Sequence, residues 1–80
     1  MLKITVLSPT GTVFEGEVHH VVFPGSAGSF EVYPSHAPLI SSLKKGEIVC
    51  FLTETESKTI PVKSGFTEIK FDVITVCVEV

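Results

Sequence analysis

Eighty residues, a formal net charge of −3, six lysines and no arginine set tight limits on this chain. The length suits one small core. Without arginine, the residue best suited to bidentate phosphate recognition, and with lysines scattered except at Lys44-Lys45, nucleic acid is not an expected partner. Hydrophobic content of 44% and a mean hydropathy of +0.44 exceed what so small a core hides, which favours life inside a complex. The longest apolar run, Ile48 to Leu52, is five residues, against the roughly 20 of a membrane helix. Met1 leads directly into Leu2-Lys3-Ile4-Thr5-Val6 without the parts of an export signal, so the chain is expected to stay in the compartment where it is made.

Taken in order, the elements are all strands. Leu2, Ile4 and Val6 alternate, and Ser8-Pro9-Thr10-Gly11 turns the chain. Thr12 to Glu15 predicts a short strand ended by Gly16, and Val18 to Phe23 predicts the next. Pro24-Gly25 makes a turn, Phe30, Val32 and Tyr33 pattern as a short half-buried strand, and Pro34 and Pro38 fix a stiff bend around His36. Leu39 to Lys44 follows, closed by Lys45-Gly46. Glu47 to Thr53 carries Ile48, Cys50 and Leu52 on one face, and Glu54 to Ser57 turns into Lys58 to Val62. Pro61, unable to donate to a ladder, marks an edge strand. Ser64-Gly65 interrupts the pattern, Phe66 to Lys70 resumes it, Asp72 suits a hairpin turn, and Val73 to Val80 closes the chain. About ten short strands without a helix predict an all-β fold, a two-sheet β-sandwich or flattened barrel occupying residues 1–80 as one domain.

Reactive groups are few. Cys50 and Cys77 lie in apolar stretches and are expected to be buried, reduced thiols, and no CxxC spacing exists for a zinc or redox motif. His19 and His20 are neighbours on an expected strand, pointing to opposite faces, so they do not share a metal and read as exposed strand histidines. A metal site needs His36 with one of them and a carboxylate such as Glu31 or Glu17, and the His-x-His pair of cupin enzymes is absent. Ser35 and His36 are adjacent in sequence, which is not the spatial arrangement of a triad. Gly25 and Gly28 lack the helix whose N-terminus completes a phosphate loop. No catalytic, cofactor-binding or metal site is expected, and no small-molecule substrate.

The most informative stretch is Pro24 to Leu39, with three prolines and two glycines in sixteen residues. So many conformationally special residues on one surface bend usually position something, here a partner protein. Pro24-Gly25-x-x-Gly28-x-Phe30 followed by Tyr33-Pro34-x-His36-Ala37-Pro38-Leu39 resembles the signature of the epsilon subunit of F-type ATP synthase. Ile4-x-Val6-x-Ser8-Pro9-x-Gly11, Phe14-x-Gly16-x-Val18, Leu43-Lys44-x-Gly46, Ser64-Gly65-Phe66-x-Glu68-Ile69 and Val73-Ile74-Thr75-Val76 extend the resemblance over the whole chain. Family members commonly carry glycine where this chain has Glu31, Ser35 and Ser64, which puts the local turns in question rather than the fold.

The resemblance implies a non-catalytic rotor subunit of a proton- or sodium-driven synthase. It would link the gamma subunit to the membrane c-ring and couple ion transport to ATP synthesis. Its place would be peripheral, on the cytoplasmic face of a bacterial inner membrane, with membrane association only through the complex. Position by position, Pro24, Gly25, Ser26, Ala27, Gly28, Ser29, Phe30 and His36 are expected towards the c-ring, and Leu39, Ile40 and Ser41 towards gamma. The family's two-helix C-terminal hairpin has no counterpart before Val80, so inhibition of hydrolysis and ATP binding are not expected of these residues. The rival readings are a small metal-binding barrel enzyme of cupin type, built on His36 and Glu31, and a free-standing adaptor module.

Overall fold

The computed structural model describes all 80 residues and contains no helix. Nine strands form: β1 (Leu2–Ser8), β2 (Gly11–Val18), β3 (His20–Phe23), β4 (Phe30–Val32), β5 (Leu39–Leu43), β6 (Gly46–Phe51), β7 (Ser57–Val62), β8 (Ser64–Lys70) and β9 (Val73–Glu79). They make two sheets, one ordered β2-β1-β9-β8-β5 and the other β4-β3-β6-β7. This is the expected sandwich. Every pairing is antiparallel except β1 with β9, which run parallel from Lys3↔Val73 to Leu7↔Cys77 and so join the two ends of the chain.

Alternation builds the core directly. Leu2, Ile4 and Val6 from β1, Ile74, Val76 and Val78 from β9, Val21 and Phe23 from β3, and Ile48 and Cys50 from β6 point inward. Sixteen buried apolar side chains form one cluster, with Val13, Phe14, Phe30 and Leu39 packed against it. Each fully buried aliphatic or aromatic side chain contributes roughly 1.5–3 kcal/mol, set against the entropy of ordering the chain. Thr67 is the buried polar exception in β8, and its hydroxyl donates to the Thr75 carbonyl at 3.4 Å. Pro61 lies in β7, an edge strand as its missing N–H requires.

Several boundaries differ from the sequence expectation. Gly16 does not end β2; it pairs opposite Ile4 and the strand continues to Val18. The expected strand from Val18 to Phe23 is divided at His19, where the chain bends out of one sheet and into the other. Ser64 and Gly65 begin β8 instead of breaking it, so the β7–β8 crossing takes Lys63 alone, whose N–H donates to Glu79 O at 2.7 Å. A Cβ on Gly65 would collide with the Cys77 carbonyl and lie 2.9 Å from Val78 Cγ1, so close approach of β8 to β9 is what demands glycine there. Leu52 falls beyond β6 and is exposed. Cys50 is buried as expected, but Cys77 is only half-buried. The reason is phase: with Ile74, Val76 and Val78 facing the core, Cys77 must face out.

Candidate functional site

The segment from Pro24 to Leu39 wraps one edge of the sandwich. The β3–β4 hairpin is closed by a turn in which Gly28 N–H donates to Gly25 O at 3.0 Å. That turn is tied to the strand beside it: Ser26 N–H donates to Ser42 O at 3.0 Å, the Ser42 hydroxyl to Ser26 Oγ at 2.9 Å, and Lys44 N–H to Pro24 O at 2.9 Å. Pro24 and Gly25 are buried, and a Cβ on Gly25 would sit 2.8 Å from the Phe30 ring. Phe30 belongs to β4 and stacks on Phe23 with centroids 5.4 Å apart. The loop therefore leaves Ser26, Ala27, Gly28 and Ser29 exposed, while Pro24, Gly25 and Phe30 hold it in place.

His36 lies at the opposite end of β4 from that loop. Pairing fixes this: Phe30 opposes Phe23 next to the loop, Val32 opposes Val21 further back along β3, and the chain then runs on through Tyr33-Pro34-Ser35 to His36. The loop and His36 are consequently not one patch. They are two bends flanking β4, and β4 is an edge strand. A single partner touches both only by lying along that edge. The His36 ring is committed locally, with Nδ1–H donating to Ala37 O at 2.7 Å, which leaves Nε2 as the acceptor.

Around the same bend the backbone is strained. The chain has three non-glycine residues with positive φ, namely Ser35 (67°), Phe71 (51°) and Asp72 (62°). They converge, because Ser35 N–H donates to Asp72 Oδ1 at 2.6 Å. Phe71 and Asp72 form the two-residue turn between β8 and β9, closed by Lys70↔Val73, with the two positive φ values of a type I′ hairpin. Asp tolerates that conformation, but an L-residue such as Ser or Phe gives up roughly 1–2 kcal/mol there. Of Glu31, Ser35 and Ser64, where the family resemblance put the local turns in question, only Ser35 adopts a positive φ. With His36, Ala37 and Pro38 these residues wall a hollow of about 510 Å³, and the Phe71 side chain stands 80% exposed beside it.

Behind the bend the two remaining histidines overturn their sequence reading. The bend at His19 removes the strand alternation that would separate them, and their Nδ1 atoms lie 2.8 Å apart, one ring donating and the other accepting. His20 is not an exposed strand residue. It is buried between Tyr33 and Phe51, with centroids 4.7 and 4.2 Å away and ring planes within 9° and 8°. Glu54 Oε1 stands 3.9 Å from His19 Nε2. The Tyr33 hydroxyl donates to Glu31 Oε2 at 2.9 Å, and that bond, with some desolvation and the Glu31 charge, raises the phenol above its usual range. No three His, Cys, Asp or Glu side chains converge on a point that could hold a metal ion, and Glu31 is engaged by Tyr33 rather than by His36.

Of the second expected surface, alternation along β5 divides the residues. Ile40 faces outward and is 72% exposed, while Leu39 packs against the core and the Ser41 hydroxyl donates to Ser42 O at 3.0 Å. The outer face of the five-stranded sheet carries further apolar residues that sequence reading missed. Register aligns Leu7, Cys77 and Phe66 in one row across β1, β9 and β8, beside a hollow of about 390 Å³ that also takes in Pro9 and Val78. The available signal was phase: Ile69 inward forces Phe66 outward, and Val6 inward does the same for Leu7.

A family model for the beta-sandwich domain of the ATP synthase Delta/Epsilon chain matches residues 1–80. The chain belongs to this family. It is 37% identical over 78 residues to the ATP synthase epsilon chain of a Nitratiruptor species, covering 98% of this chain and 60% of the relative. Against the ATP synthase epsilon chain of Leptospira interrogans it is 39% identical over 75 residues, covering 94% and 58%. The chain thus spans about three-fifths of the length of these relatives. Its fold superposes on chains of two mitochondrial ATP synthases seen by cryo-EM. One is the central stalk/c-ring of Tetrahymena thermophila (TM-score 0.80, 12% identity, 99% of this chain and 63% of that one). The other is the OSCP/F1/c-ring assembly of Euglena gracilis (TM-score 0.89, 14% identity, 96% and 49%). At those identities the likeness is one of fold.

Proposed function

We propose that this chain is a non-catalytic subunit of the central stalk of an F-type ATP synthase, joining gamma to the membrane-embedded ring so that torque passes between them. It acts at the cytoplasmic face of a bacterial plasma membrane and reaches the membrane only through the complex. The observation that carries this reading is the family match over all 80 residues. The shape suits the task. Two sheets packed on one core make a stiff body, and its unspent features are contact surfaces rather than a reactive centre. The β4 edge with its two flanking bends serves the ring, through Ser26 to Ser29 and His36. The outer face of the five-stranded sheet serves gamma, through Ile40 and the apolar row of Leu7, Phe66 and Cys77.

The test is capture of purified gamma by the immobilised chain. Ile40→Asp places a charge on the outer face without touching the core, so the free protein keeps its melting temperature. Burying that charge at a contact weakens capture by about 2 kcal/mol or more. Undiminished capture by a folded Ile40→Asp protein means that gamma binds elsewhere. Failure of the unaltered chain to bind gamma at all removes the stalk assignment.

A further inference from the structure

His19 and His20 form a pair held by one proton. The chain changes sheets at His19, and that bend brings both imidazoles together, with Nδ1 atoms 2.8 Å apart. The ring centres are 5.0 Å apart, close to the nitrogen separation plus two ring radii, so the nitrogens face each other head-on. That is the geometry of N–H···N, and not of two lone pairs converging on a metal ion. The two rings differ in freedom. His20 is buried flat between Tyr33 and Phe51, so its plane is fixed. His19 is pinned at the backbone, where its N–H donates to Phe51 O at 2.7 Å, but its side chain is 37% exposed and can turn. Around the pair stand Tyr33 and its partner Glu31 from β4, Phe51 from β6 and Glu54 from the β6–β7 turn. Glu54 is the one carboxylate within ion-pair reach of either ring, 3.9 Å from His19 Nε2, while Glu17 pairs opposite Lys3 on β1.

Proton counting gives this pair two shapes. With both rings neutral, one Nδ1–H donates to the other ring's bare Nδ1. A first added proton keeps that bond, because a charged His19 still donates Nδ1–H to a neutral His20 and presents Nε2–H to Glu54. A second puts an N–H on both facing nitrogens, with no acceptor between them and two positive charges in contact. Only the freer ring can yield. We infer that the pair is an acid-operated latch: closed on His20 and beside Glu54 until both rings are charged, His19 then swings to solvent and frees the β6–β7 turn. His20 stays in its stack. The latch rests on the fold alone, whichever faces meet a partner.

The test is nuclear magnetic resonance of the full chain with 15N-labelled histidine, at about pH 8 and again in acid, where the ring 15N shifts show both rings charged. In the first state a coupling across the hydrogen bond links the two Nδ1 atoms, and cross-relaxation joins the His19 ring to Tyr33, whose centroid is 6.4 Å away. In acid the coupling vanishes and the His19–Tyr33 cross-relaxation falls about fivefold or more, as loss of one net hydrogen bond requires. The His20–Tyr33 contact persists. In His20→Phe the His19 ring is turned out in both states, and Glu54→Gln keeps the acid response. A coupling that survives with both rings charged overturns the latch, as does a His20 that stays neutral until the chain unfolds. So does a His19 ring still closed in His20→Phe, or an acid response abolished by Glu54→Gln, which makes the carboxylate the switch.

Discussion

His20 allows the sharpest examination of how the bend after β4 is held. Truncation to alanine removes a ring stacked on Tyr33 and Phe51 at 4.7 and 4.2 Å. Each aromatic pair contributes about 0.5–1.5 kcal/mol beyond area burial, so the two stacks together amount to about 1–3 kcal/mol. Lost burial of the ring and the space left between two aromatic planes add about 1 kcal/mol. His20→Ala therefore destabilises the fold by about 2–4 kcal/mol, which lowers the melting temperature by roughly 10 °C or more in a domain this size. His20→Phe keeps both stacks and loses only the Nδ1 contact with His19, whose ring is exposed enough to turn to water, so it stays within about 1 kcal/mol of the parent. Urea unfolding followed by circular dichroism, with the slope checked for constancy, separates the two variants. If His20→Phe falls as far as His20→Ala, the imidazole pair holds the bend and the stacking argument is wrong. If His20→Ala is neutral, neither contact matters.

Further outcomes follow from the turn and the thiols. Asp72→Ala removes a charge-assisted bond to Ser35 N–H and an αL-tolerant residue, lowering stability by about 2 kcal/mol, while Asp72→Asn keeps both in weaker form and loses about half as much. Equal thermal melts for the two variants would mean that the clamp is not formed. Burial pushes the Cys50 thiol from 9.0 up to about 11, with nearby Lys58 partly opposing the shift. The unfolded chain therefore releases this proton first as pH rises. The stability due to Cys50 is complete below about pH 9 and is lost between there and about 11, by about 2–3 kcal/mol. Urea midpoints at about pH 8 and about pH 10.5 decline more steeply in the parent than in Cys50→Val, and parallel declines would refute the assignment. A thiol reagent at about pH 8 labels Cys77 well before Cys50.

The fold was legible because strand phase is a local property. Leu2-Ile4-Val6 and Ile48-Cys50 announce their inward face by spacing alone, and Pro61 announces an edge. Crossings between the sheets were not legible. At His19 and Lys63 the chain changes sheets in a single residue: the second crossing was read one residue late, as a break at Ser64-Gly65, and the first has no turn former to mark it, so two rings assigned to opposite faces came together. The candidate surface was legible as a segment but not as a shape. Proline and glycine content marks Pro24 to Pro38 as special, yet only the pairing of β3 with β4 reveals that its two halves lie at opposite ends of an edge strand. The corner where the Pro34–Pro38 bend meets the β8–β9 turn was out of reach, because it depends on backbone angles and on a bond between Ser35 and Asp72, 37 residues apart.

The parallel pairing of β1 with β9 also decides how this body carries load. Both strands run the same way, so Met1 emerges at one end of the molecule and Val80 at the other. A pull that separates them acts along the strands, and the five paired positions from Lys3↔Val73 to Leu7↔Cys77 resist together in shear instead of peeling open one after another. With β9 also clamped by β8 over seven paired positions, tension between the chain's ends meets the middle of the five-stranded sheet before it meets any turn.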